Sequence, residues 1–158
     1  MSQIKVAIMM GSKSDMPIME EAGKVLKEFG VAHELRVLSA HRTPKETAQY
    51  AEELKKRGAA VVICGAGGSA ALAGVVAAHT SLPVIGVPID SMGLGGLDAL
   101  LATAQMPPGV PVGCVAIGKN GARNAALLAI RIIAVSDPAL EKKLVDYRET
   151  QRQQILSA

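Results

Sequence analysis

The sequence predicts a doubly wound α/β fold, and three observations carry the prediction. Apolar runs of strand length, rich in Val and Ile, recur at residues 4–10, 35–38, 59–64, 84–87 and 112–117. The segments between them have helical spacing, as in Met16, Met19, Gly23, Leu26 and Phe29, and then Ala48, Ala51 and Leu54. The strand-like runs are continuous rather than alternating, so both faces of each strand are expected to be buried. That requires helices above and below a parallel sheet, joined by right-handed crossovers.

Each element has its own signals. Thr43, with Pro44 at the first helical position and Glu46 three residues on, predicts a capping box at the start of the second helix. Gly30 and Gly58 are expected to close the first two helices. Asp137 followed by Pro138 opens a last helix of about 138–153, which puts Leu140, Leu144 and Tyr147 on one stripe. That helix is expected to pack on a neighbouring element or subunit.

The 158 residues correspond to one domain, 1–158, when a domain is typically about 150 residues. Apolar residues make up 49% of the chain, enough for a core without disulfides or metal. Phe29, Tyr50 and Tyr147 are the only aromatic residues, which leaves no platform for stacking bases or a flavin and makes a nucleic-acid partner improbable. The net charge of +3 is interspersed along the helices, a pattern that suits a small anionic ligand rather than a polyanion. Cys64 and Cys114 stand in strand-like runs with no CxxC or Cys/His cluster, so they read as buried thiols and no zinc site is expected. With no leader pattern at MSQIKVAIMM and no apolar run of the roughly 20 residues a spanning helix needs, a reducing cytoplasm and no membrane are expected.

In open α/β sheets the ligand lies beyond the carboxyl ends of the strands, so four loops are informative. The first, GSKSD (11–15), leads into a helix, and its free N–H groups would suit a phosphate, although on local sequence alone an ordinary Ser/Asp cap is the better explanation. The second, SAHRTP, holds Ser39, His41 and Arg42 in a short bend. There an imidazole can carry a proton and a guanidinium can fork onto an anion; the alternative is a solvated turn. His33 and His79 have no such setting and read as surface or supporting residues.

The third loop, GAGGSAALAG (65–74), lets a flat ligand or a helix approach closely. Gly65, Gly67 and Ala70 also fit GxGxxA, with Asp90 after the next strand, so a dinucleotide-binding oxidoreductase is a rival reading. The fourth loop runs from Asp90 through glycine turns to QMPPG. It is either a lid reaching across a subunit boundary or a plain surface connection.

Taken in order, GSKSD, SAHRTP, GAGG, LPVIGVP, GLDALL, QMPPGVPVG and NAALLA resemble the N5-carboxyaminoimidazole ribonucleotide mutase family over nearly the whole chain. The resemblance implies a flavodoxin-like three-layer α/β/α sandwich with five parallel strands and an extra C-terminal helix. It also implies a cytoplasmic, cofactor-independent and metal-free enzyme of purine biosynthesis, assembled as a homo-octamer with active sites at subunit contacts. A related branch instead carboxylates aminoimidazole ribonucleotide directly with CO2. By resemblance, His41 is the proton carrier, Ser12 and Arg42 hold the phosphate, Asp15 the ribose hydroxyls, and Ser39 supports the site. Ala66, Gly67 and Gly68 would line the imidazole and carboxylate; Gly11 and Leu72 complete the substrate-binding set, and Met106 arrives from a neighbouring subunit.

Arg42 and the GAGG loop look like the mutase branch, since direct carboxylases tend to carry Lys at the Arg42 position. The chain departs from the family in GGSAALAG. Ala71 stands where a second histidine is usual and Ala73 where a proline is usual, and SMGLGG lacks a polar residue often found there. A nucleotide-binding paralogue with lost or altered activity therefore stays open.

Overall fold

The computed structural model describes residues 3–158; Met1 and Ser2 lie outside the described residues. Strands β1 (Val6–Met10), β2 (His33–Val37), β3 (Val61–Gly67), β4 (Val84–Ile89) and β5 (Gly113–Cys114) form one sheet in the order β2-β1-β3-β4-β5. Every pairing is parallel. Helices α1 (Met16–Phe29), α2 (Pro44–Glu53), α3 (Leu72–His79), α4 (Leu97–Ala104), α5 (Gly118–Ala134) and α6 (Pro138–Leu156) cover it. Among the described residues, no helix is long and apolar enough to cross a membrane.

The period of two along a strand divides the core into two layers. Val6, Ile8 and Met10 of β1 join Val61 and Ile63 of β3 in packing against Met19, Leu26, Ala126 and Ile130 of α1 and α5. Ala7, Met9, Val62 and Cys64 point the other way, toward Tyr50, Leu54, Leu72 and Val76. All residues of β1 and β4 are buried, as their unbroken apolar runs predict. The edge strands behave differently because each has one neighbour and needs only one covered face. β2 is half-exposed, and β5 shrinks from the predicted 112–117 to two residues. Cys114, expected to be buried, is consequently only partly so, whereas Cys64 is enclosed, and its burial pushes the thiol pKa up.

Gly30 takes the left-handed conformation (φ 74°) that ends α1, and Asp137 caps α6 by accepting from the Leu140 N–H at 3.1 Å. Two predicted helix signals are used otherwise. Thr43 makes no capping bond to α2; its hydroxyl turns back, accepting from the Ser39 N–H at 2.9 Å and donating to the Ser39 carbonyl at 3.1 Å. α2 ends at Glu53, and Gly58 (φ 90°) closes the turn that follows it.

α6 packs its first half within this chain. Leu140 and Leu144 are buried, Tyr147 lies 5.5 Å from the Phe29 ring, and Lys143 Nζ donates to the Phe29 carbonyl at 2.8 Å. The turns from Arg148 onward are exposed.

α1 and α5 are joined by an ion cluster. Glu21 accepts from Lys24 Nζ at 2.6 Å and from Arg123 Nε at 2.8 Å, with Arg123 Nη2 at 2.6 Å. These bonds, Lys24's first, hold the Glu21 carboxyl at about 2 rather than its ordinary 4.5. A depressed carboxyl contributes stability that is present above its unfolded value and is lost as pH falls through the folded one. Glu21→Gln is therefore expected to flatten the decline in melting temperature between pH 4.5 and about 2. A variant whose profile follows the parent's would remove Glu21 from that role.

Candidate active site

The strand order reverses between β1 and β3, and the loops after β1, β2, β3 and β4 meet beyond that point around a cleft of about 460 Å³. Gly11, Ser12 and Asp15 come from the first loop, and Ser39, His41 and Arg42 from the second. Ala66, Gly67, Ala70, Ala71 and Leu72 come from the third, Ser91 and Met92 from the fourth.

The first loop closes on itself before the helix begins. The Ser12 hydroxyl accepts from the Ser14 N–H at 3.3 Å, and the Asp15 carboxylate accepts from the Ser12 N–H at 3.1 Å. Asp15 is buried. Desolvation raises its pKa above the usual 3.8, against the lowering effects of the Ser12 N–H and the Arg42 charge.

The second loop is a tight turn held by Ser39. Thr43 N–H returns to the Ser39 carbonyl at 2.9 Å, and the Thr47 hydroxyl reaches the same carbonyl at 3.3 Å. Arg42 spans two loops. Its Nε donates to the Ser39 hydroxyl at 3.3 Å and its Nη2 to the Gly11 carbonyl at 2.6 Å. The guanidinium is exposed and borders both the main cleft and an adjoining hollow of about 360 Å³ beside Ser12 and Lys13. The remaining guanidinium N–H groups of Arg42 stand next to the Ser12 turn, an arrangement that can present donors to an anion.

The third loop supplies a floor with small side chains. Ala70 holds a left-handed φ of 40°, uncommon for a residue with a Cβ, and its N–H bonds the Gly67 carbonyl at 3.1 Å. Ala71 occupies the N-cap position of α3 and offers no side-chain acceptor to that helix's first N–H groups.

A family model described as AIR carboxylase matches residues 5–154. The chain belongs to the AIR carboxylase family. It is 57% identical over 153 residues to the N5-carboxyaminoimidazole ribonucleotide mutase of Saccharolobus solfataricus, covering 97% of this chain and 96% of that one. It is 48% identical to the protein of the same name from Escherichia coli, over 96% of this chain and 90% of that one. Its backbone matches the crystal structure of Treponema denticola PurE with a TM-score of 0.87 at 32% identity, over 96% and 94% of the two chains. The AIR carboxylase fold is thus the flavodoxin-like sandwich that the motifs imply.

Of the residues that the sequence singles out, Gly11, Ser12, Asp15, Ser39, His41, Arg42, Ala66, Gly67 and Leu72 all line the cleft. Gly68 and Met106 do not. Gly68 lies buried under Met92, and Met106 packs on Gly74, away from the cleft of its own chain. His33 bonds the Val31 carbonyl and His79 pairs with Glu52, so neither imidazole belongs to the site. Ser91 and Met92, from the SMGLGG segment, and Ala70, from the GxGxxA pattern, also line the cleft although the sequence does not mark them as substrate-binding residues.

The GxGxxA pattern has a packing explanation in this AIR carboxylase fold. A Cβ on Gly65 would overlap the Met19 side chain, so this glycine admits a helix α1 side chain to the sheet rather than a pyrophosphate to the loop. Asp90 is exposed and does not line the cleft.

Because a raised carboxyl value favours the folded state only at low pH and the benefit is lost as pH rises through it, Asp15 ionised at neutral pH is a stability cost. Asp15→Asn is expected to raise the melting temperature at pH 7 while weakening nucleotide binding; a lower melting temperature would contradict this. Arg42→Lys is expected to weaken a phosphate-bearing ligand by about tenfold or more, since an ammonium cannot reproduce the fork. Titration with the nucleotide and with its dephosphorylated nucleoside checks it: both should bind the variant with similar affinity.

Proposed function

We propose that this protein is a cytoplasmic N5-carboxyaminoimidazole ribonucleotide mutase of purine biosynthesis, moving a carboxylate from the exocyclic nitrogen to ring carbon C4 of the same nucleotide. The observation that carries the reading is the placement of His41 in one cleft with the dianion receptor of Ser12 and Arg42 at one side and the apolar floor of Ala66, Gly67 and Leu72. A ribonucleotide phosphate docked at that receptor lays its base along the floor. Asp15, ionised beside the Ser12 turn, is an acceptor for ribose hydroxyls.

The chemistry needs positioning and one proton carrier. The bond from nitrogen to the carboxyl carbon breaks, leaving its electron pair on nitrogen and releasing CO2 in the cleft. The His41 imidazolium gives its proton to that nitrogen. C4 attacks the CO2, and neutral His41 then removes the C4 proton, which restores the aromatic ring and regenerates the imidazolium. Atoms and charge balance without cofactor or metal. Holding CO2 next to C4 replaces a bimolecular capture with an intramolecular one.

The active assembly is a homo-oligomer, in keeping with an octamer. Met92, Leu94, Leu97 and Leu101 leave an exposed apolar strip from the fourth loop along α4, beside the cleft. The outer turns of α6 carry Ile155 and Leu156 uncovered. A second copy on these faces brings a QMPPG segment with its Met106 to the cleft, and gives the far end of α6 a surface to pack on.

His41→Asn is expected to lose about 10² to 10⁴ in turnover while binding nucleotide normally; an unchanged rate removes His41 from the proton role. In the parent, C4 carboxylation of the N-carboxylated nucleotide without bicarbonate supports the mutase. Strict bicarbonate dependence would instead establish the direct carboxylase, and binding without turnover the altered paralogue that Ala71 raises. Leu101→Glu is expected to shift sedimentation to smaller species and lower activity with it; an unchanged assembly would place the interface elsewhere.

A further inference from the structure

We propose that the Ser91 hydroxyl is the positioning donor for the substrate's carboxylate, an inference that rests on the mutase reading of the cleft. The Ser12 and Ser39 hydroxyls of the cleft are held in place by the bonds they accept within the first and second loops. The Ser12 hydroxyl accepts from the Ser14 N–H and hydroxyl, and the Ser39 hydroxyl accepts from the Arg42 backbone N–H at 3.2 Å and from Arg42 Nε. Ser91 differs: among the described residues its hydroxyl bonds none, although it belongs to the same cleft.

The hydroxyl also lies on the floor of the cleft. A Cβ on Gly67 would overlap Ser91 Oγ, so the hydroxyl lies against the bare backbone of the cleft floor, where only glycine leaves room for it. Met92 lies in the same way against Gly68, with its Cγ 3.1 Å from where a Cβ would stand, which pins the adjacent residue of the loop. The cleft that Ser91 borders is also lined by Ala66, Ala71, Leu72 and Met92, all apolar. The cationic receptor of Arg42 and the Ser12 turn stands on other loops and is taken by phosphate. A carboxylate at the apolar end, or the CO2 derived from it, therefore finds one side-chain donor from the third and fourth loops, and a hydroxyl bonded to a carboxylate is the stronger charge-assisted kind. A neutral donor has a further merit here. It orients the carboxylate without stabilising its charge as strongly as a cation would, so departure as CO2 is not opposed.

The test compares two stable nucleotides on the parent and on Ser91→Ala: 5-aminoimidazole ribonucleotide and its 4-carboxy derivative. Ser91 is exposed, so the variant is expected to fold, and circular dichroism with a melting curve confirms it. Ser91→Ala is expected to weaken the carboxylated nucleotide by about tenfold to a hundredfold, the range for a lost bond to a charged group, and to leave the uncarboxylated one within about twofold. kcat for the mutase reaction should fall with the first affinity, not the second, and Ser91→Thr, which keeps the hydroxyl, should recover most of the loss. Equal effects on both nucleotides, or none on either, would overturn the assignment. Because the binding ratio is read without turnover, a parent that fails to isomerise its substrate counts against the mutase reading, while the ratio still decides Ser91.

Discussion

The cleft depends on the hydrogen bond from Arg42 Nη2 to the Gly11 carbonyl, 2.6 Å long. It joins the turn after β2 to the turn after β1, just beyond the last sheet bond between the two strands, from the Leu38 N–H to the Met10 carbonyl at 2.9 Å. Arg42 also bonds Ser39 through its Nε and its backbone N–H, which ties the same residue into the second turn. The Ser39 carbonyl in turn collects the Thr43 N–H and the hydroxyls of Thr43 and Thr47. His41 sits inside this knot, one residue from the arginine, and inherits its position. On the proposed reading, anion recognition and proton transfer are coupled because one short segment of chain supplies both.

The rest of the fold provides the stiffness that such a knot needs. β1 and β3 are enclosed by two separate cores, and both end at the switch point, so the loops leaving them start from fixed atoms. Gly65 shows the cost of that packing: at the end of β3 the sheet surrenders a side chain so that Met19 of α1 can close over it. One residue row further on, Gly67 surrenders its side chain to Ser91 on the cleft side. The GAGG run therefore serves two packing tasks at successive positions along one face of the strand, and its resemblance to a dinucleotide fingerprint follows from the small size that both tasks demand.

The position of Ala71 shows how the site tolerates departure from its family. The residue lines the cleft at the N-terminus of α3, where a larger side chain is usual and where the helix's first N–H groups have no side-chain acceptor. With a methyl group there, the apolar end of the cleft has more open floor, and the donors left to it are backbone groups and the hydroxyl of the neighbouring loop. On the proposed reading, orienting a charged substituent falls to groups that the fold itself positions.

From the amino-acid order alone follow the α/β class, the parallel sheet and the caps at Gly30 and Asp137, because unbroken apolar strands and local turn chemistry are properties of neighbours in the chain, while the nine lining residues of the cleft follow from the resemblance of its motifs to a family. Tertiary structure alone decided the remainder. It turned Thr43 back onto Ser39 instead of capping α2, kept Met106 out of its own cleft, assigned Gly65 to Met19, and laid Ser91 and Met92 on the glycine loop. These outcomes depend on atoms from segments far apart in sequence competing for the same few ångströms, and no spacing along the chain records which of them occupies the space.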